Sequence, residues 1–234
     1  MQYKRILLKL SGEALMGDGA FGISPNAIKN YTEEIIAIHK QGIQIGIVVG
    51  GGNFFRGIQS EKIGIDKVSG DKMGMLATIM NAIALRDVIE NMGIEARVQT
   101  SIVMPQISEI FTKEKAIKHF NKNRIVIFAG GTGNPYFTTD SAAALRAAEI
   151  EANILIKATN VDGVFDSDPK KNPNAKLFDT VTFSECIEKK LRVMDLTAFA
   201  LCSENNIHIG VLNLHKKGNL LKFLNGEKIG TLIK

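Results

Sequence analysis

Five short apolar runs, each ending in a small, polar or glycine-rich turn, most restrict what this chain can become. They are Tyr3–Leu10, Ile43–Val49, Arg124–Ala129, Ile154–Lys157 and Ile207–Leu212. Most are near-continuous in Ile, Val and Leu instead of alternating with polar residues. A strand with one wet face alternates, whereas a strand buried on both faces does not, and the second pattern marks a parallel sheet covered by helices. The stretches between them have helical punctuation. Ser24-Pro25 supplies an N-cap and a proline at the first helical position, and Gly42 closes that helix after Gln41. Further helices are predicted over Asp71–Met92, where Met73, Leu76, Ala77, Met80, Ile83 and Ala84 recur at helical spacing, and over Thr139–Glu151. Shorter ones fall at Thr112–Asn121, Ser184–Lys190, Leu196–Asn205 and Asn219–Leu224. Strand alternating with helix predicts the α/β class: a three-layer α/β/α sandwich around a mostly parallel central sheet. With no Pro-, Gly- or Ser-rich linker, residues 1–234 read as one domain of two lobes, and the polar stretch Val161–Lys176 reads as a flap.

Composition narrows the partners. The net charge of +5 is spread along the chain with no basic block, which suits an enzyme of anionic small molecules as well as a nucleic-acid binder. Aromatic residues make up 6% and Trp is absent, leaving few platforms for stacking bases, so no nucleic-acid partner is expected. No apolar stretch approaches the roughly 18–20 residues of a membrane span. The apolar run near the N-terminus is too short for a signal peptide. Cys186 and Cys202 lack metal-ligand or redox spacing, and a reducing, cytoplasmic setting is expected.

In such a sheet ligands gather outside the carboxyl ends of the strands. Those ends read Lys9-Leu10-Ser11-Gly12-Glu13, then Gly50-Gly51-Gly52-Asn53 with Arg56-Gly57, then Gly130-Gly131-Thr132-Gly133-Asn134, then Lys157-Ala158-Thr159-Asn160. Glycine turns let backbone amides approach an anion, and lysines add charge. Any one of these could be a plain tight turn; their coincidence at strand ends points to several phosphate groups. Gly17-Asp18-Gly19-Ala20-Phe21-Gly22 matches GxGxxG, but it lies six residues past the first strand and does not open a helix, so a dinucleotide fingerprint is rejected. No Gly-Lys pair exists for a Walker A loop, and GxSxG and HExxH are missing. The four histidines are scattered, and Asp162, Asp166 and Asp168 lack the spacing of a calcium loop, so no protein metal site is expected. Lysines and glycine nests without a nucleophile–base pair fit phosphoryl transfer, which is mostly positioning and electrostatics.

The segments Lys9–Glu13, Gly50–Asn53 with Arg56-Gly57, and Ala158–Phe165 are together similar to the amino acid kinase superfamily. Gly70–Thr78 and Thr132–Asp140, the latter containing TGNPYFTT, resemble its bacterial UMP kinase branch, and the resemblance runs in order from Lys4 to Leu232. It implies transfer of a phosphoryl group from ATP to UMP, giving ADP and UDP. By this resemblance Lys9, Leu10, Ser11 and Gly12 contact the ATP phosphates, and Gly52 and Arg56 lie on the ATP side. Thr159, Phe165 and Asp168 take the ATP nucleoside. Gly51, Asp71 and the run Thr132, Gly133, Asn134, Pro135, Tyr136, Phe137, Thr138 and Thr139 take UMP, with Asp71 on the ribose. Asp140 and Asp195 match carboxylates that hold catalytic lysines, and Lys157 is a second candidate cation, unless it merely reaches solvent. Mg2+ is implied, held mainly through nucleotide phosphates. The resemblance further implies a homo-oligomer, usually a hexamer, with GTP as activator and UTP as inhibitor. The loop Gly17, Asp18, Gly19, Ala20, Phe21 and Gly22 falls where GTP activation is transmitted, although Asp18, Gly19 and Ala20 depart from the enterobacterial pattern. A carboxylate or carbamate kinase of the same fold, or a non-catalytic nucleotide-binding protein, are the alternatives.

Overall fold

The computed structural model describes residues 3–55, 64–169, 171–191 and 193–234. Among them nine strands form one sheet in the order β4-β3-β5-β2-β1-β6-β8-β9-β7. The strands are β1 (Arg5–Leu10), β2 (Gln44–Val49), β3 (Ala96–Thr100), β4 (Glu109–Ile110), β5 (Ile125–Ala129), β6 (Ile154–Thr159), β7 (Thr180–Val181), β8 (His208–Asn213) and β9 (Thr231–Ile233). Every pairing is parallel except β8 with β9. The helices are α1 (Gly12–Met16), α2 (Pro25–His39), α3 (Lys67–Asn91), α4 (Lys113–Asn121), α5 (Thr139–Glu149), α6 (Phe183–Glu188), α7 (Leu196–Glu204) and α8 (Asn219–Leu224).

The two faces of the sheet carry two cores. Ile6, Leu8 and Leu10 of β1, with Ile154, Ile156 and Ala158 of β6, pack under α2, α3 and α8. Leu7 of β1 and Leu155 of β6 point the other way, into the layer of α4, α5, α6 and α7. This alternation, apolar on both sides, is why the strands read as continuous runs.

Differences from the sequence reading have local causes. β3 escaped notice because Arg97 and Gln99 interrupt it; Gln99 is nonetheless fully buried, donating to Glu109 Oε2 at 3.3 Å. α3 begins a turn before Asp71, capped by Asp66, whose side chain accepts from Ser69 N at 3.1 Å. Its core face is Ala77, Thr78, Ile79, Asn81, Ala82, Leu85 and Ile89, whereas Met73, Leu76 and Met80 point outward. At the ends of the polar stretch, Phe165 bridges Leu177, and Asp166 N donates to Lys176 O at 3.1 Å. α2 is capped by Ser24 Oγ, 3.3 Å from Ala27 N, so Gly17–Gly22 does not open that helix.

Candidate active site

Register builds the centre of the site. β1 and β6 align Lys9 directly with Lys157. Continuing the alternation of Leu7 and Leu155, both lysines therefore emerge on the α5 face, near the carboxyl ends of their strands. α5 opens there, its N-cap Thr138 accepting from Asp140 N at 3.0 Å and Ser141 N at 3.3 Å. Asp140 in the first turn stands between the two cations, with Oδ1 2.9 Å from Lys9 Nζ and Oδ2 2.6 Å from Lys157 Nζ. Lys157 also donates to Val193 O at 2.7 Å, and its side chain is only partly exposed. Burial pushes the Asp140 carboxyl up, but Lys9 and Lys157 together hold it below the ordinary carboxylate range. Burial also lowers the Lys157 ammonium; Asp140 opposes this and Lys9 adds to it. The result is an ionised, partly desolvated cluster with two positive groups and one negative. Asp195 sits beside it as the N-cap of α7, accepting from Ala198 N and Ser141 Oγ, both at 2.9 Å, and from Thr138 Oγ1. Its hydrogen bonds thus hold the entry to α5, not a lysine, while its charge supports the Lys157 cation.

Two glycine turns close over this end of β1 and β2. A Cβ on Gly12 would come within 2.6 Å of both Asn53 Oδ1 and Gly52 N, and one on Gly51 within 2.7 Å of Gly74 O. Only glycine lets the β1–α1 turn, the β2 turn and α3 meet this closely. Ser11 caps α1, its Oγ accepting from Ala14 N at 3.2 Å.

On the β5 side of the lysines lies a cavity of about 130 Å3. Gly51, Asp71, Thr132, Asn134, Phe137, Thr138 and Thr139 line it, joined by Phe55, Gly70, Gly74, Met75, Thr78 and Gly131, to which the sequence reading gave no individual site role. Gly52 lines it too, although the resemblance put that residue on the ATP side. Gly133, Pro135 and Tyr136 lie in the same loop but off the cavity wall. Asp71 is tied at both oxygens, to Lys67 Nζ at 2.6 Å and to Tyr136 N at 2.7 Å. Burial raises its carboxyl, and these two partners bring it below the usual range. On the β6–β8 side is a second cavity, of about 450 Å3, lined by Thr159, Phe165 and Asp168 with Val161, Val164, Lys189 and Val193 among others. Two cavities flanking a cationic cluster at the end of a parallel sheet suit two substrates meeting at a charged reacting group. Arg56 lies outside the described residues. Among the described residues no group of three or more His, Cys, Asp or Glu could hold a metal ion.

The sheet and the paired-lysine site define a phosphotransferase of the amino acid kinase type. Residues 4–213 match the amino acid kinase family model, and the chain belongs to that family. Among solved structures it is similar to UMP kinase from Bacillus anthracis at 38% identity and TM-score 0.97, covering 100% of this chain and 97% of that one. UMP kinase from Ureaplasma parvum is also 38% identical, with TM-score 0.95 and 100% of both chains covered. Uridylate kinase from Archaeoglobus fulgidus is more distant, at 27% identity and TM-score 0.74 over 98% of this chain and 99% of that one.

Proposed function

We propose that this chain is a UMP kinase, transferring the terminal phosphoryl group of ATP to UMP to give ADP and UDP. The likeness to UMP kinases along the whole chain carries the choice of acceptor, and the Lys9–Asp140–Lys157 cluster supplies the chemistry. ATP lies with its nucleoside against Thr159, Phe165 and Asp168 and its phosphates over Lys9–Gly12, with Gly52 beside them. UMP occupies the β5-side cavity, its ribose on Asp71 and its phosphate and base within Thr132–Thr139. The C-terminal lobe therefore holds mainly ATP, and the N-terminal lobe mainly UMP and oligomer contacts. Phosphoryl transfer places growing charge on the bridging and equatorial oxygens, where fixed cations stabilise it. Lys9 and Lys157 are those cations, and Asp140 pairs with both and aims them. The UMP phosphate is already ionised at neutral pH, so the reaction needs no general base. Mg2+ would be held mainly through the ATP phosphate oxygens and water, and would supply further neutralisation of phosphate charge.

The enzyme works in the cytoplasm, in the pyrimidine nucleotide route to UTP and CTP, as a homo-oligomer, in a hexameric arrangement. The outward Met73, Leu76 and Met80 of α3 support self-association. GTP and UTP are the candidate activator and inhibitor, with Gly17–Gly22 as the loop that responds to GTP.

The deciding test offers UMP, CMP, dUMP, aspartate, glutamate and carbamate in parallel, with ATP and Mg2+, and measures ADP release. Turnover confined to UMP is expected; turnover on a carboxylate or carbamate with UMP inert overturns the acceptor. Asp71→Asn should raise KM for UMP about 10- to 100-fold, the worth of roughly 1.5–3 kcal/mol for a charged hydrogen bond, with a smaller effect on kcat. An unchanged KM removes Asp71 from the acceptor site.

A further inference from the structure

Four segments of the site converge on two buried asparagines that the mechanism above does not use. Asn53 follows the glycine turn after β2 and is 2% exposed; Asn81, in the middle of α3, is fully buried. Their carboxamides pair reciprocally, Asn53 Nδ2 donating to Asn81 Oδ1 at 2.9 Å and Asn81 Nδ2 to Asn53 Oδ1 at 2.7 Å. The other hydrogen of Asn81 goes to Gly50 O at 2.7 Å, and that of Asn53 to Gly22 O at 2.8 Å. All four amide N–H groups are thus spent. Gly22 N returns a bond to Asn53 O at 3.0 Å, so the Gly17–Gly22 loop is docked on this residue by two hydrogen bonds. The Asn53 Oδ1 atom also rests against Gly12, where an added Cβ would meet it at 2.6 Å.

Such a pair costs an apolar core nothing only if every member is satisfied, and then it fixes one arrangement over its neighbours. Here the neighbours are the β1–α1 turn, the β2 glycine turn, α3 with its Asp71, and the Gly17–Gly22 loop. We infer that Asn53 and Asn81 are positioning residues that hold the two phosphate-facing glycine turns in register, with the Gly17–Gly22 loop closing the same network. The inference rests on the proposed placement of the ATP phosphates over Lys9–Gly12. Loosening the pair displaces the Gly12 and Gly50–Gly52 backbones relative to Lys9; Gly51 and Gly52 also line the UMP cavity, whose Thr132–Thr139 wall stays in place.

The test compares Asn53→Ala, Asn81→Ala, the double variant and Asn81→Asp with the unaltered protein. It measures kcat, KM for ATP, calorimetric affinities for MgATP and for UMP separately, and thermal unfolding. Each alanine variant should lose about 10²-fold in kcat, as a misplacement of about 1 Å can do, and bind MgATP more weakly, with a smaller loss of UMP affinity because Thr132–Thr139 keep their place. The double variant should lose no more than the worse single one, because the two side chains act as one unit. Asn81→Asp supplies the readout that a merely structural role would not move. Its protonated carboxyl can still donate to Asn53 Oδ1 and accept from Asn53 Nδ2, whereas its carboxylate cannot donate. Its kcat relative to the unaltered protein should therefore fall as pH rises from 6 to 9. Folded alanine variants with unaltered kcat and MgATP affinity overturn the inference, as does an equal loss of UMP and MgATP binding. If the alanine variants do not fold, Asn81→Asp decides: a folded variant with unaltered kcat and MgATP affinity across pH 6 to 9 overturns the inference. An unaltered protein that binds MgATP but does not turn over UMP refutes the acceptor assignment, and the MgATP affinities still decide the role of the asparagines.

Discussion

Lys9→Ala is expected to lower kcat by at least about 10²–10³-fold, the worth of a single preorganised contact to developing charge, while calorimetric affinity for UMP changes little. The expectation follows from where the strand puts the ammonium. Lys9 is mostly buried at the carboxyl end of β1, anchored at 2.9 Å to Asp140 and aligned with Lys157 across the β1–β6 pairing. An anchored cation needs no reorganisation as negative charge builds on the bridging oxygen of ATP, so its contribution is realised at the transition state. Ground-state binding of UMP depends on other walls, those of Asp71 and Thr132–Thr139. A variant retaining most of its turnover would remove Lys9 from the reaction. Loss of UMP affinity in proportion to kcat would instead mean that the cation holds the acceptor. Lys9→Arg should recover little, because the wider guanidinium cannot occupy the same place between Asp140 and the glycine turns.

Five of the nine strands were legible because both of their faces are apolar, a pattern that survives without knowledge of the partners. β3 was not, since the burial of Gln99 depends on Glu109, a residue on a neighbouring strand. The start of α3 was hidden by Val68, Ser69 and Gly70, poor helix formers that the Asp66 cap and tertiary packing overrule. The site divides the same way. Lys9, the glycine turns and Thr132–Thr139 stand out locally, as charge and glycine at strand ends. The position of Lys157 could be seen, but not its partner: its side chain meets Asp140 only because β6 pairs with β1 in one particular register and α5 returns over that face. Asn53 and Asn81, 28 residues apart in sequence, give no local sign of forming a pair. Residues that act alone at a strand end are readable, whereas those that act through a partner wait for the topology.

Asp140→Asn tests that partner-dependent half of the site. Removing one member of a buried ion pair costs roughly 3–5 kcal/mol, because the remaining charge keeps its desolvation and loses its counterion. Two lysines would then face each other across a neutral amide. The wild-type pH dependence fixes the sign. The folded Asp140 carboxyl lies below its ordinary value of 3.8, so it stabilises the protein above that pH, and the contribution is lost as pH falls through the folded value. Lys157 lies below 10.5 when folded, so its burial costs stability at neutral pH, and that cost is relieved as pH rises. Replacing Asp140 by asparagine withdraws a charge that pairs directly with Lys157 and drives its ammonium down further. The variant should therefore unfold at lower temperature near neutral pH and show less of the wild-type loss in acid. Its kcat should be lower by about 10²-fold or more, with an alkaline decline that starts at lower pH than in the wild type, as Lys157 gives up its proton. Adding Lys157→Met to Asp140→Asn should restore part of the stability, by removing the stranded charge, but none of the activity. Wild-type melting and an unshifted alkaline limb in folded Asp140→Asn would show that the carboxylate does not govern the two lysines. Recovery of stability without activity in the double variant would separate the energetic role of Asp140 from the catalytic role of the cations it holds.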